Sequence, residues 1–324
     1  MPAKLVILGA TGGLGARLLQ HFHAKKHTVL AVGRNPEKLN PLNAAGIKCV
    51  QGDLNSAEVL AEIIRFAPDI IVNASGKSGF SCGKAQYKIA NIDTVEHAIA
   101  LARAANHCRL IHFSSPSVSY RAHDCFGIKE DKPFSPPVSA YAWSRQQSEL
   151  LLSAVDDLPI TIIRLRSAYG YGAASPLQSI RNKMTSRSFV PLVRGGQVAI
   201  DLIHMDDVME GVEAIVHMPQ KAGRVVLNLA GPKALTFKSM VEGIASYEGI
   251  RPKWLPVPGI ALAFAGPIAE ILMLMLPENR EPDISAHMAG SLLYSQTLDL
   301  SQIKATTGWS PRFDLAQVLN AKTL

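Results

Sequence analysis

The chain has no CxxC pair, no run of basic residues interleaved with aromatics, and no uninterrupted apolar segment of membrane-spanning length. Each absence removes a class of protein. Cys49, Cys82, Cys108 and Cys125 lie far apart, which argues against a zinc cluster or a disulfide framework and fits a reducing cytoplasm. His21 and His23 stand two apart on a helical pattern and face different directions, so they read as surface histidines, and no metal is expected. The formal charge of +7 suits an anionic ligand, but Lys and Arg are scattered, so nucleic acid is not an expected partner. The most apolar segment, Ile260 to Leu276, is broken by Gly266, Pro267 and Glu270. It reads as a buried or surface-docking helix pair, with contact to a membrane surface as the lesser alternative. Because Leu5 to Leu8 runs straight into a glycine turn, no export signal is expected.

What remains is a globular composition, 48% hydrophobic and 18% charged, over 324 residues. That length suits one large α/β domain with a smaller one appended. The stretch KLVILGATGGLGARLL, Lys4 to Leu19, organises it. An apolar run long enough for a buried parallel strand passes through glycines into a helical pattern that places Leu14, Leu18, Leu19 and Phe22 on one face. Gly9, Gly12 and Gly15 fall three apart. The first allows a tight turn, the second clears space for a pyrophosphate, and the third lets helix and strand pack closely. The helix N-terminus then offers free N–H groups to phosphate, so the loop Gly9, Thr11, Gly12, Gly13, Leu14 and Gly15 is a candidate dinucleotide site.

Further apolar runs alternate with helical patterns, which predicts a parallel sheet with ligands beyond the carboxyl ends of its strands. Thr28 to Val32 ends in Gly33 and Arg34, where an adenosine ribose would be read. An acidic residue there favours NAD; Arg34 offers a cationic fork suited to a 2′-phosphate, so NADP is the expected cofactor, with NAD as the alternative. Ile47 to Val50 leads into Gly52, Asp53 and Leu54, and Asp69 to Ala74 into Ser75 and Gly76. A helix over about 85–105 carries Asn91 near its start. Leu110 to Phe113 delivers Ser114, Ser115 and Ser117 to the same edge, and Tyr141 and Arg145 stand four apart on one helix face. Ile160 to Leu165 is a sixth strand, Tyr169 to Gly172 a turn, and Val225 to Leu229 a strand that rejoins the main sheet. These boundaries predict a dinucleotide-binding domain over 1–168, rejoined by 199–230, and a substrate-binding lobe over 169–198 and 231–324.

Taken together, GATGGLG, Gly52–Asp53–Leu54, Asn73–Ala74–Ser75–Gly76, FSSPS at 113–117 and YAWSRQQSE at 141–149 resemble the extended short-chain dehydrogenase/reductase superfamily, also called the NAD-dependent epimerase/dehydratase family. IHMDDV at 203–208 and GWSPRFDL near the end agree with it, and the tail from Arg280 to Trp309 resembles the 3β-hydroxysteroid dehydrogenase-like branch. The resemblance implies an α/β fold, a doubly wound parallel sheet of the Rossmann type with a smaller, partly helical C-terminal substrate lobe. It also implies a cofactor site that includes Asp53, Leu54, Asn73, Ala74 and Ser75. In the superfamily a tyrosine is the general acid/base, a lysine four residues later tunes it and holds the nicotinamide ribose, and a serine polarises the carbonyl. By position these are Tyr141, Arg145 and Ser115, with Ser117 as the fallback serine; Asn91 in NIDT matches the asparagine that orders the site. The roles make physical sense, because a phenol of ordinary pKa about 10 is a poor base at neutral pH without a nearby cation.

The main departure is Arg145 where the family has lysine. A planar delocalised fork differs from a compact ammonium in reach and hydrogen-bond geometry, so the exchange is not conservative. Three functions fit these residues. The leading one is an NADP(H)-dependent oxidoreductase interconverting a carbonyl and a hydroxyl on a fairly apolar small molecule, as a monomer or homodimer. The second is a nucleotide-sugar epimerase/dehydratase, which would commonly place an arginine ahead of the IHVxD-like segment where this chain has Ile200 and Asp201. The third is a non-catalytic NADP-binding regulator.

Overall fold

The computed structural model describes residues 2–78, 83–170, 176–186, 189–219, 223–264 and 286–320. Cys82, Tyr171, Gly172 and the part of Ile260–Leu276 beyond Phe264 lie outside the described residues. Seven strands form the central sheet: β1 (Lys4–Leu8), β2 (Thr28–Gly33), β3 (Lys48–Gln51), β4 (Ile70–Asn73), β5 (Arg109–Ser114), β6 (Pro159–Leu165) and β7 (Gly223–Leu229). All pairings between them are parallel, in the order β7-β6-β5-β4-β1-β2-β3. The order reverses between β1 and β4, and a crevice opens beyond their carboxyl ends.

Alternation along each strand produces two cores. Leu5, Ile7, Ala31, Val72, Ile111, Ile163 and Leu227 face one side, where α1 (Gly13–Ala24) brings Leu18, Leu19 and Phe22. Val6, Leu8, Leu30, Ile71, Leu110 and Ile162 face the other. There they meet Val59 and Ile63 of α3 (Ala57–Phe66) and Val95 and Ala98 of α5 (Thr94–Ala104). Between β2 and β3 runs α2 (Pro36–Ala44). The helical run ahead of α5 starts with α4 (Lys84–Tyr87) and passes through one π-helical turn, Lys88–Asp93. Behind the second core lies α6 (Ala140–Ser153), and a short helix, α7 (Pro176–Thr185), opens the smaller lobe.

The first face is completed by α8 (Met205–His217), whose Val208, Val212 and Ile215 are buried. The lobe has a separate core built on α9 (Phe237–Glu248), with Phe237, Met240, Val241 and Ile244 packed against Tyr169, Leu315, Val318 and Leu319. Its mixed sheet joins Ala199–Ile200 antiparallel to Leu235–Thr236 and parallel to Gln296–Leu298, which also pairs with Cys125–Ile128. The C-terminal GWSPRFDL segment is held by Asp207, whose buried carboxylate accepts the N–H groups of Arg312 and Phe313, each at 2.9 Å. No helix of the described residues is long and apolar enough to cross a membrane.

At the opposite end of the sheet from the crevice, His21 departs from the surface position expected of it. Its Nε2 lies 3.3 Å from Glu213 of α8, because α1 and α8 pack side by side on the first core. Two more histidines share that carboxylate: Nε2 of His27 at 3.0 Å and Nε2 of His217 at 2.9 Å, both to Oε1. His27 Nδ1 accepts the Ala3 N–H at 3.0 Å, which leaves the ring proton on Nε2 to be donated to Glu213. Three imidazoles therefore converge on one carboxylate. Burial pushes Glu213 up, but hydrogen bonds from His21, His27 and His217 outweigh it and hold the carboxyl down at about 2.

A carboxyl depressed from 4.5 in the unfolded chain to about 2 contributes stability that is present above pH 4.5 and lost as pH falls through about 2. Glu213→Gln, which cannot ionise, should cost about 1.5–3 kcal/mol at pH 6, the usual worth of hydrogen bonds to a charged group. The gap between variant and wild type should narrow as pH falls from 6 to 3 in urea unfolding. A gap independent of pH would show that the carboxylate charge is not what the histidines bind.

Candidate functional site

Backbone contact shapes the first turn. Gly9 has φ +77, and its N–H donates to the Val32 carbonyl at 3.1 Å. A Cβ on Gly9 would fall 2.7 Å from the backbone of Ser75, and one on Gly15 would fall 2.2 Å from the Gly9 carbonyl oxygen. Side chains at either position would push β1, α1 and the loop after β4 apart. At Gly12 a Cβ would meet only the Gly9 oxygen at 3.3 Å, so the space above it is open. Gly12 caps α1 with no side-chain bond, and the first turn holds no acidic residue. Open space, free N–H donors and no competing carboxylate suit a pyrophosphate. Thr11 stands partly buried beside this loop, Gly13 is exposed, and Leu14 packs on the first core.

The adenosine end is polar and exposed. Nη1 of Arg34 stands 3.8 Å from Oδ1 of Asp53, both side chains largely in solvent, while Leu54 packs on the second core. At the end of β4, Asn73 is fully buried; its Oδ1 accepts the Ser75 N–H at 3.1 Å and also the Ser75 hydroxyl. Ala74 continues this turn, its N–H donating to the Leu8 carbonyl at 3.1 Å. The other side of the Asn73 amide faces His112 Nδ1 at 3.3 Å. Burial, helped by the charge of Arg145, holds His112 down at about 3, so the imidazole is neutral.

The helix pair behind β4 and β5 brings Asn91, Tyr141 and Arg145 together. Asn91 lies in the π-helical turn and is fully buried; its Oδ1 accepts the Lys77 N–H at 2.7 Å, and its Nδ2 donates to the Ser144 hydroxyl at 2.9 Å. Ser144 in turn donates to the Tyr141 carbonyl at 2.8 Å. Ser144 was not among the sequence candidates, although its position three residues after Tyr141 on α6 is the signal that could have found it. The guanidinium of Arg145 is buried, with its centre 5.2 Å from the Tyr141 ring. It donates to the Phe113 carbonyl at 3.0 Å and the Lys77 carbonyl at 3.4 Å. One fork thus ties the loop after β4 to the end of β5. The Tyr87 ring approaches Tyr141 with centroids 5.7 Å apart.

Ser115 follows β5 and caps the turn Pro116–Ser119, accepting the Ser117 N–H at 3.2 Å. Among the described residues its hydroxyl is recorded only as an acceptor. Ser117 is buried, and its hydroxyl has no hydrogen-bond partner among the described residues. Ser114 is engaged differently, donating to Glu149, which forms a two-point ion pair with Arg164 at 2.8 and 3.1 Å deep under the site. Among nearby aromatic side chains, Phe126 is exposed. Tyr169 is fully buried and donates to the Phe313 carbonyl at 3.2 Å, and Tyr120 is buried too. Ahead of Ile203, Asp201 is buried and paired with Arg166, and it accepts the Leu298 N–H at 2.8 Å.

Comparison with known proteins agrees with this architecture. The chain is 25% identical over 320 residues to 2-alkyl-3-oxoalkanoate reductase of Shewanella oneidensis, covering 94% of this chain and 81% of the relative. It is 24% identical over 323 residues to 4-hydroxy-2-methyl-3-oxo-4-farnesyl-3,4-dihydroquinoline-1-oxide ketoreductase of Stigmatella aurantiaca, covering 98% and 95%. Among solved structures, WbmG of Bordetella bronchiseptica in complex with NAD superposes with a TM-score of 0.76 at 19% identity, over 100% of this chain and 93% of that one. MoeE5 in complex with UDP-glucose and NAD gives 0.73 at 20% identity, over 99% and 97%. At such identities the structures speak for the fold. Residues 5–230 match the NAD dependent epimerase/dehydratase family, and the chain belongs to that family of extended short-chain dehydrogenases/reductases, whose members typically take an NAD(P) cofactor and a small-molecule substrate.

Proposed function

We propose that this protein is an NADP(H)-dependent oxidoreductase that interconverts a carbonyl and a hydroxyl on a fairly apolar small molecule. The observation that carries the reading is the Asn91–Ser144–Tyr141 chain of contacts with the Arg145 guanidinium 5.2 Å from the tyrosine ring. Tyr141 holds or gives the proton at the substrate oxygen, and Ser115 donates a hydrogen bond to that oxygen. Arg145 places positive charge beside the phenol, where it stabilises negative charge developing on the oxygen. When bound, a nicotinamide cofactor would supply the hydride chemistry at the substrate carbon. The glycine loop would hold its pyrophosphate, Asp53, Leu54, Asn73, Ala74 and Ser75 would line its adenine and central portions, and Arg34 would meet a 2′-phosphate.

In this reading 1–168 together with 199–230 form the cofactor domain and 169–198 with 231–324 the substrate lobe, the two sharing the mixed sheet through Cys125–Ile128 and Ala199–Ile200. The apolar substrate is supported by the two relatives, whose names describe alkyl and farnesyl ketone reduction, and by the resemblance of the tail to the 3β-hydroxysteroid dehydrogenase-like branch. A nucleotide sugar is less well served. The position ahead of Ile203 where related enzymes commonly meet the diphosphate carries Asp201, already committed to Arg166.

Tyr141→Phe should lower kcat by about 10²–10⁴-fold while leaving cofactor affinity within about twofold, since the phenol acts on the reacting oxygen. Steady-state turnover of long-chain 3-oxo compounds and ketosteroids with NADPH, alongside nucleotide sugars with NAD, provides the substrate test. Turnover of nucleotide sugars alone would refute the apolar substrate, and unchanged turnover in Tyr141→Phe would refute the proton carrier.

Arg34→Ala should weaken NADP binding at least about tenfold, the loss expected when a charge-assisted contact to phosphate is removed. Calorimetric titration of both cofactors checks this, and equal wild-type affinities for NAD and NADP would contradict the cofactor assignment.

A further inference from the structure

Lys38 occupies a position that local helix physics disfavours. Asn35 caps α2, its Oδ1 accepting the Lys38 N–H at 3.3 Å, so Lys38 is the third residue of the first turn. That position commonly carries Glu or Gln, which reaches back to the cap and complements the positive end of the helix dipole. A cation there is opposed by the dipole. The Lys38 side chain runs the other way, and its Nζ donates to the Thr11 carbonyl in the glycine loop at 3.2 Å. Thr11 is itself pressed against the end of β2, since a Cβ on Gly33 would fall 2.8 Å from its Cγ2. The ammonium therefore stands where the glycine loop and the end of β2 meet, beside the corner in which an adenosine ribose is read.

The charges at this corner are unequal in availability. Arg34 has an ion-pair partner, Asp53 at 3.8 Å, whose carboxylate repels a phosphate as much as it attracts the guanidinium. Lys38 has no carboxylate within ion-pair distance among the described residues; its contact is a neutral carbonyl. An arriving dianion can take the ammonium without displacing an acid.

We infer that Lys38 is a specificity-determining residue for the cofactor, the second cation of a 2′-phosphate clamp with Arg34, set in place by the Thr11 carbonyl until phosphate binds. This rests on the NADP(H) reading above, and its failure is separable from failure of that reading. A break of a local rule at a site edge is where function is expected to override helix preference.

Calorimetric titrations of NADP⁺, NAD⁺ and adenosine 2′,5′-bisphosphate into wild type, Arg34→Ala, Lys38→Gln and Lys38→Arg test it, with thermal melts confirming that each variant is folded. Lys38→Gln should weaken NADP⁺ and the bisphosphate about tenfold or more and leave NAD⁺ within about twofold, and Lys38→Arg should restore most of the loss. Wild type that binds NAD⁺ as tightly as NADP⁺ would overturn the cofactor reading and this inference together. Preference for NADP⁺ lost in Arg34→Ala but kept in Lys38→Gln would overturn the role of Lys38 alone. Equal weakening of both cofactors in Lys38→Gln would also overturn it, assigning Lys38 to the shape of the glycine loop.

Discussion

Direct contact of backbone with backbone at Gly9 sets the geometry on which the site depends. The Gly15 helix backbone rests on the Gly9 carbonyl and Gly9 rests on the Ser75 backbone, so three segments meet without an intervening side chain. That closeness brings the start of α1 to the point where strand order reverses, with its N–H groups facing the crevice between β1 and β4. It also fixes the loop after β4, and Asn73 reinforces it by bonding back to Ser75. The next residues of that loop are then within reach of Asn91 and Arg145. The candidate cofactor site and the candidate catalytic helix are therefore coupled through one short loop.

Arg145 belongs to the same coupling. A buried guanidinium is costly unless its donors find partners, and here carbonyls at the end of β5 and in the loop after β4 take its two terminal nitrogens, while its Nε has no partner among the described residues. A compact ammonium has no rigid fork with which to span them in the same plane. The arginine thus sits as a fixed frame beside Tyr141. Its charge has a second consequence, because together with burial it keeps His112 neutral and able to share a hydrogen bond with Asn73. Holding the loop and setting local charge are done by one side chain.

The doubly wound parallel sheet was legible in the chain because parallel strands buried on both sides read as apolar runs, and those runs alternate with helical patterns. Gly9 and Gly15 were legible because close approach leaves no other residue a place there, and Gly12 because it keeps the space at the helix start open. Even the return of β7 to the main sheet could be read from its β-branched run. What local pattern does not carry is the identity of distant partners. Nothing in the spacing around Arg145 points to the carbonyls of Phe113 and Lys77, and nothing around His21 points to Glu213, some 190 residues away. A two-residue offset between His21 and His23 correctly put them on different faces; only the packing of α8 decided that one of those faces was covered.

The lobe shows the same division between what is local and what is long-range. IHMDDV reads as a strand-to-helix turn, and it is one: His204 caps α8 by accepting the Asp206 N–H at 3.2 Å. Yet its larger effect is on the far C-terminal segment, where Asp207 takes two N–H groups and His204 stacks on Phe313 with centroids 4.3 Å apart. Arg166, just beyond β6, bonds Asp201 and the Gln296 carbonyl, so the end of the central sheet is tied to the mixed sheet of the lobe. These buried polar ties leave little freedom where they act, because breaking one would strand a buried carboxylate. Conformational freedom in the lobe is then left to the side chains between the ties.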